Sequence, residues 1–168
     1  MPQEPQRVLL VFRVGGQTAA LPLEDVQTIT LMAQVARPPG LPTHLEGLLN
    51  LAGKAVPVLR LDRLFQLPVQ DPALYSVLII LKNAAEGAIA LLADRVSDIL
   101  QVPQSALLPA GKDNSFNACA EAVVSAGGQA IPLLSPGQIL LEKERQRLAD
   151  FQATAQRRLE EWGAPRES

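Results

Sequence analysis

The chain has 168 residues, 48% of them apolar and 19% charged, with 15 basic against 17 acidic side chains for a net charge of −2. That balance offers no long-range attraction to nucleic acid or to an anionic membrane, and 4% aromatics leave few platforms for stacked bases. One cysteine, Cys119, excludes an internal disulfide; with no signal-peptide pattern and no apolar run near the roughly 18–20 residues that span a bilayer, a cytoplasmic protein is expected.

In chain order, VLLVFRV (8–14), a Gly15-Gly16 turn and the apolar run that follows read as a β-hairpin. These runs are apolar nearly throughout, so both faces of the strands are expected to be covered in part. Next, LEGLLNL and KAVPVL flank Ala52-Gly53, a tight turn in which glycine accepts positive φ. Pro57 lies inside a strand-like run, where its missing N–H predicts an edge or a bulge. The stretch LPVQDPALY (67–75), with Pro68 and Pro72, reads as an internal boundary.

Beyond it the pattern returns. VLLVFRVGGQTAALPLEDVQTI (8–29) aligns with VLIILKNAAEGAIALLADRVSDI (77–99), each closing on V-x-x-I at an offset of 70 residues. LEGLLNLAGKAVPVLRLDRLF (45–65) aligns with AEAVVSAGGQAIPLLSPGQIL (120–140) at an offset of 75, which carries Gly53 onto Gly128 and Pro57 onto Pro132. The drift falls in the polar segment PAGKDNSFNA (109–118), read as a longer loop. Two copies of a roughly 60-residue unit imply duplication, and are too few for a solenoid. Each copy supplies about five short strands, enough for a small barrel with a thin core. The expected architecture is all-β with a C-terminal helix: a single domain over 7–141, built from barrel units interleaved around 7–66 and 74–141, then an amphipathic helix and tail over 142–168.

Ser135-Pro136-Gly137 predicts the helix start, a serine N-cap with proline at the first helical position. Leu141, Leu148, Phe151, Ala155, Leu159 and Trp162 then recur at 3–4 spacing, and Gly163 and Pro165 end the pattern. This stripe either packs on the chain's own barrels or docks another protein or a second copy.

Taken in order, these stretches resemble the CheW family, the coupling proteins of bacterial chemosensory arrays. LEGLLNLAGKAVPVLRL resembles the family's Gly-x-x-Asn-Leu-Arg-Gly stretch and its following Pro-hydrophobic-hydrophobic-Asp-Leu, and LLADRVSDILQVP resembles its hydrophobic–Asp–x–Val–Ser–x–hydrophobic stretch. The resemblance covers roughly residues 7–141 and implies two pseudo-symmetric, SH3-like five-stranded barrels. It also implies a non-enzymatic adaptor without cofactors. The implied partners are the cytoplasmic tip of a methyl-accepting chemoreceptor and the regulatory domain of a CheA-type histidine kinase, with recruitment to membrane-associated arrays but no insertion. Partner-binding positions carried over are Val26, Thr28, Gly47, Asn50, Ala52, Gly53, Val96 and Asp98. Ala52 stands where the family commonly has Arg, Arg60 where it has Asp, and Thr28 where Glu is frequent, which points to a changed partner or to weakened binding of the same one.

Plainer readings stand beside these. Gly53 and Pro57 have backbone reasons to be where they are, and Asn50 beside a turn satisfies local backbone groups. His44 and Cys119 are the sole residues of their kinds, so a Cys–His nucleophile must be weighed. They lie in different copies, and no hydrolase signature surrounds either. No ligand spacing suggests a metal site. The GGQ runs at 15–17 and 127–129 lack the rest of a phosphate-binding loop and read as hairpin turns. A free-standing SH3-like interaction module outside chemosensory arrays is the alternative function.

Overall fold

The computed structural model describes residues 4–68, 76–82, 88–110, 116 and 119–163, apart from the side chains of residues 148–154, 162 and 163. The first copy contains β1 (Gln6–Val14), β2 (Gln17–Pro22), β3 (Val26–Leu31), β4 (Leu45–Leu51), β5 (Lys54–Arg60) and a single helical turn, α1 (Leu61–Leu64). The second contains β6 (Val77–Leu81), β7 (Ile89–Ala93), β8 (Arg95–Pro103), β9 (Leu107–Pro109), β10 (Ala120–Ala126), β11 (Gln129–Leu134) and the long helix α2 (Pro136–Gly163). The boundary segment 69–75, the turn at 83–87 and most of the 109–118 loop lie outside the described residues.

The two copies exchange their opening hairpins. One sheet runs β8-β1-β2-β11-β10-β9, so the first copy's β1–β2 hairpin joins strands of the second copy. The other runs β3-β6-β7-β5-β4, so the second copy's β6–β7 hairpin joins strands of the first. Both sheets are therefore mixed, each drawing strands from the two copies. The correspondence reaches single residues. The parallel pairing Leu133↔Ala20 matches Val58↔Ala90, and the bulge that skips Gln27 in β3 matches the one that skips Ser97 in β8. The bulge at Glu46 matches that at Glu121, and the lone bridge Ala36↔Leu48 stands where β9 pairs with β10.

Strand alternation explains the unbroken apolar runs, because a sheet sends successive side chains to opposite faces. In β1, Leu9 and Val11 enter the core of their own sheet with Val124, Ile131 and Leu133. Leu10, Phe12 and Val14 point the other way, into a central cluster with Ile79, Leu81, Ile89, Leu91 and Ala93 from the second sheet. In β6 and β7, Leu78, Ile80, Ala90 and Leu92 fill the second sheet's own core with Val56 and Val58. The four hairpin strands are thus sandwiched, and the shared cluster is what joins the sheets. Burying each such large apolar side chain stabilises by about 1.5–3 kcal/mol.

Three hairpins turn on two residues at positive φ: Gly15-Gly16, Ala52-Gly53 and Gly127-Gly128. That is the requirement of a type I′ turn, whose twist matches the strands. Of the two placements expected for such prolines, edge or bulge, the edge does not apply to Pro57 and Pro132, since β5 and β11 each lie between two neighbours. Each instead sits one residue before the parallel ladder starts, at Val58 and Leu133.

Ser135 caps α2 as its sequence predicts, accepting the Gln138 N–H on Oγ at 3.4 Å. The first turn of α2 repeats α1: Leu64 and Ile139 correspond at the offset of 75, and both are fully buried in the central cluster. Gln66 at φ 57° ends the first helix at once, whereas the second continues to Gly163. α2 docks through Ile139, Glu142 and Gln146, whose Nε2 donates to the Leu64 carbonyl at 2.8 Å. No helix among the described residues is long and apolar enough to cross a membrane.

Candidate partner-binding surfaces

Equivalent outermost strands, β3 and β8, begin the two sheets. In V-Q-T-I and V-S-D-I the bulged second residue lets the first valine turn inward. Val26 is buried in the central cluster, and Val96 is half-buried against it. Thr28 and Asp98 are exposed, and Asp98 Oδ1 accepts the Ile99 N–H at 2.8 Å. The fourth residues, Ile29 and Ile99, leave apolar surface in water at matching positions of the two sheets. They were absent from the candidates read from sequence, although the repeated V-x-x-I marks them. Val26 and Val96 support the strands from beneath, so substitutions at either act on packing as well as on any partner.

Gly47, Asn50, Ala52 and Gly53 share the β4–β5 hairpin at the far end of the second sheet. Asn50 Oδ1 accepts the Gly53 N–H at 2.9 Å, and so holds the turn shut. Ala52 and Gly53 are exposed at φ 51° and 85°, a conformation that costs a residue with a Cβ about 1–2 kcal/mol. Gly47 is buried and makes room for a neighbouring backbone: a Cβ there would lie 2.6 Å from the Ala36 carbonyl oxygen and 2.7 Å from Val35 Cγ2. Ala36 and Leu48 exchange backbone hydrogen bonds of 2.8 Å across this gap.

Behind the same hairpin lies a buried ionic network. Arg60, 3% exposed, donates from Nε and Nη2 to the two carboxylate oxygens of Asp62 at 3.1 and 2.9 Å, and from Nη1 to Glu46 Oε2 at 3.0 Å. Arg37 reaches the other oxygen of Glu46 from the surface. Burial disfavours the Arg60 cation, but the hydrogen bonds and charges of Asp62 and Glu46 outweigh it and raise its pKa. Arg60 therefore spends its charge within the fold. A cleft of about 410 Å³ opens beside the network, lined in part by Arg37, Leu41, Thr43 and Arg63.

His44 and Cys119 are equivalent residues at the offset of 75, each just ahead of the corresponding strand, β4 or β10. The His44 carbonyl accepts the Arg60 N–H at 2.7 Å, and the Cys119 carbonyl accepts the Ser135 N–H at 2.8 Å. Both are buried, one serving each copy, and their pairing in sequence reflects the duplication. Burial chiefly, then the charge of Glu142, pushes the Cys119 thiol up to about 11, against the opposing pull of Arg145. Such a thiol is a poor nucleophile at neutral pH. Among the described residues no group of three or more His, Cys, Asp or Glu side chains is placed to hold a metal ion.

Paired sheets sharing a core, with matching outermost strands turned to solvent, define a double β-barrel scaffold of the SH3-like kind. The chain belongs to the CheW-like domain family, whose family model matches residues 8–144. It is 26% identical over 145 residues to the chemotaxis protein CheW of Rhizobium meliloti, an alignment covering 83% of this chain and 91% of that one. A probable chemotaxis protein CheW of Rhizobium etli is 29% identical over 103 residues, 61% of this chain and 66% of that protein. The crystal structure of the scaffolding protein TtCheW from Thermoanaerobacter tengcongensis superimposes with a TM-score of 0.73 at 20% identity, covering 81% of this chain and 87% of that one.

Proposed function

We propose that this protein is a non-enzymatic coupling adaptor. It binds the cytoplasmic tip of a methyl-accepting chemoreceptor and the regulatory domain of a CheA-type histidine kinase. Holding both on one scaffold raises their effective concentration toward the millimolar range and keeps the kinase where receptor state can bias it. Recruitment to membrane-associated arrays then follows from the receptor and needs no membrane segment of this chain's own.

The observation that carries this reading is the pair of equivalent outermost strands, Val26–Leu31 and Arg95–Pro103, with Thr28 and Asp98 beside the exposed Ile29 and Ile99. Two similar surfaces on one rigid body suit a bridge between two proteins. The β4–β5 turn at Asn50–Gly53 is the third contact proposed. Family membership over most of the chain favours this role over a module acting outside chemosensory arrays.

The test is capture of purified receptor-tip and kinase regulatory-domain fragments from the same cell by the immobilised protein. Wild type should retain both. Thr28→Arg and Asp98→Arg should each weaken capture of one fragment at least tenfold while leaving thermal unfolding unchanged. Retention of neither fragment by wild type would overturn the adaptor role.

A further inference from the structure

The ionic network behind the β4–β5 hairpin can be compared with its own duplicate. At the offset of 75, Glu46, Arg60, Asp62 and Arg63 correspond to Glu121, Ser135, Gly137 and Gln138. Glu121 is exposed, and its copy folds the matching strands β10 and β11 with neutral residues at the other three positions. The architecture therefore does not require these charges. Nor are they an efficient source of stability, since apolar residues of the same volume commonly match or exceed a buried ion pair. What the first copy gains is the ordering of two further arginines.

Glu46 accepts a hydrogen bond from Arg37, in the segment ahead of β4, and Asp62 Oδ1 accepts the backbone N–H of Arg63 at 2.8 Å. Arg63 Nη1 in turn donates to the Thr43 carbonyl at 3.0 Å, which ties that segment to α1. Beside these groups lies the cleft of about 410 Å³, at the small end of the roughly 300–1,000 Å³ typical of pockets for organic ligands. Arg37 and Arg63 line it, and Leu41 and Leu45, both half-buried, supply apolar lining.

Donors and acceptors are out of balance there. Every carboxylate oxygen of Glu46 and Asp62 already accepts a hydrogen bond. A guanidinium offers five N–H donors, however. Among the described residues, Arg37 gives only Nη2 to Glu46 and Arg63 only Nη1 to Thr43, so each keeps Nε and its other terminal nitrogen. The guanidinium groups of Arg37, Arg60 and Arg63 face the carboxylates of Glu46 and Asp62, an excess of one positive charge in a chain whose net charge is −2.

We propose that this cleft binds a small organic acid, its carboxylate taken by the spare nitrogens of Arg37 and Arg63 and its apolar body lying over Leu41 and Leu45. A planar guanidinium fork matches a planar carboxylate, and one negative charge cancels the local excess. Arg60, Glu46 and Asp62 act as positioning residues: they hold the two arginines before the ligand arrives, which lowers the ordering cost of binding. Neither outermost strand takes part, so the site is independent of the adaptor role.

The experiment is an NMR titration of the full, isotope-labelled chain with benzoate, and with methyl benzoate as its neutral isostere. Benzoate should shift the amides of residues 37–45 and Arg63, with affinity falling as salt rises, and methyl benzoate should not. Arg63→Gln should weaken benzoate binding at least tenfold without changing the unfolding temperature, whereas Arg13→Gln, outside the cleft, should leave binding intact. Arg63→Lys keeps the charge but not the fork, and should still bind several-fold more weakly than wild type. Absence of shifts at the cleft, or an equal response to methyl benzoate, overturns the proposal. So does tighter binding of a blocked Gly-Glu-Gly peptide than of benzoate, which would assign the cleft to an acidic side chain of a partner protein. Tighter binding of inorganic phosphate would overturn the carboxylate assignment in favour of a phosphate ligand.

Discussion

Replacing Arg60 with methionine keeps much of the side chain's length and removes its charge. Arg60 makes three hydrogen bonds to two buried carboxylates, and Glu46 and Asp62 have little other contact with solvent. Removing the cation leaves Asp62 without a cationic partner and Glu46 with Arg37 alone, and breaking a buried network in this way costs about 3–5 kcal/mol. Against a total stability of about 5–15 kcal/mol this is a large fraction. For a domain of this size it corresponds to a fall in Tm of about 6–20 °C. Urea unfolding of Arg60→Met, read by circular dichroism, should show that loss with an unchanged m-value. Adding Glu46→Gln and Asp62→Asn to Arg60→Met should recover most of it, because the poorly paired carboxylates are then gone. A loss below about 1 kcal/mol for Arg60→Met would mean that water reaches the network, since exposed ion pairs contribute no more than that. Failure of the triple variant to recover would mean instead that the guanidinium contributes mainly by packing.

Gly47→Ala places a methyl group against the Ala36 carbonyl and should cost about 1–3 kcal/mol in the same assay, with the Ala36–Leu48 bridge losing amide protection. Ala52→Gly relieves a left-handed alanine at the cost of a looser unfolded chain, and should stabilise by about 0.5–1 kcal/mol. The native Cys119 thiol titrates at about 11 instead of 9.0, so the folded state holds that proton more tightly than the unfolded chain. Its contribution is complete below about pH 9 and is lost as pH climbs toward 11. Urea midpoints taken across pH 8–11 should therefore fall more steeply for wild type than for Cys119→Ala. In the native protein at pH 8, Cys119 should react with a thiol reagent far more slowly than in urea.

Much of the fold is legible in the residues because its signals are local. The turns at Ala52-Gly53 and Gly127-Gly128, the cap at Ser135 and the runs at 8–14 and 77–81 each announce an element within a few positions. Strands without alternation also announce two covered faces, as Leu9 to Phe12 show. What local signals omit is the partner of each hairpin. β1–β2 has the same pattern whether it completes its own copy's sheet or the other's, and only the register across the whole chain decides. The same limit hides the ionic network: Arg60 and Glu46 look like surface charges until the β4–β5 pairing brings them together behind the hairpin. At the candidate site, Thr28 is placed by the family resemblance and Asp98 by the repeat that pairs the two, and both are exposed. The bulge that turns Val26 inward and leaves Ile29 outward is not legible, because a bulge depends on the facing strand.

The exchange of hairpins between copies has a consequence for synthesis. Synthesised ahead of the other strands, β1 and β2 expose Leu9, Leu10, Val11 and Phe12, yet β8 and β11, their neighbours from the other copy, lie roughly a hundred residues downstream. At about 5–20 residues per second that is a wait of roughly 5–20 seconds. Neither copy can finish a barrel without the other, so a nascent half has no stable resting place. A duplicate severed from its twin would be expected to seek the missing strands in another molecule, which makes truncated chains of this design candidates for strand-swapped pairing and for chaperone capture.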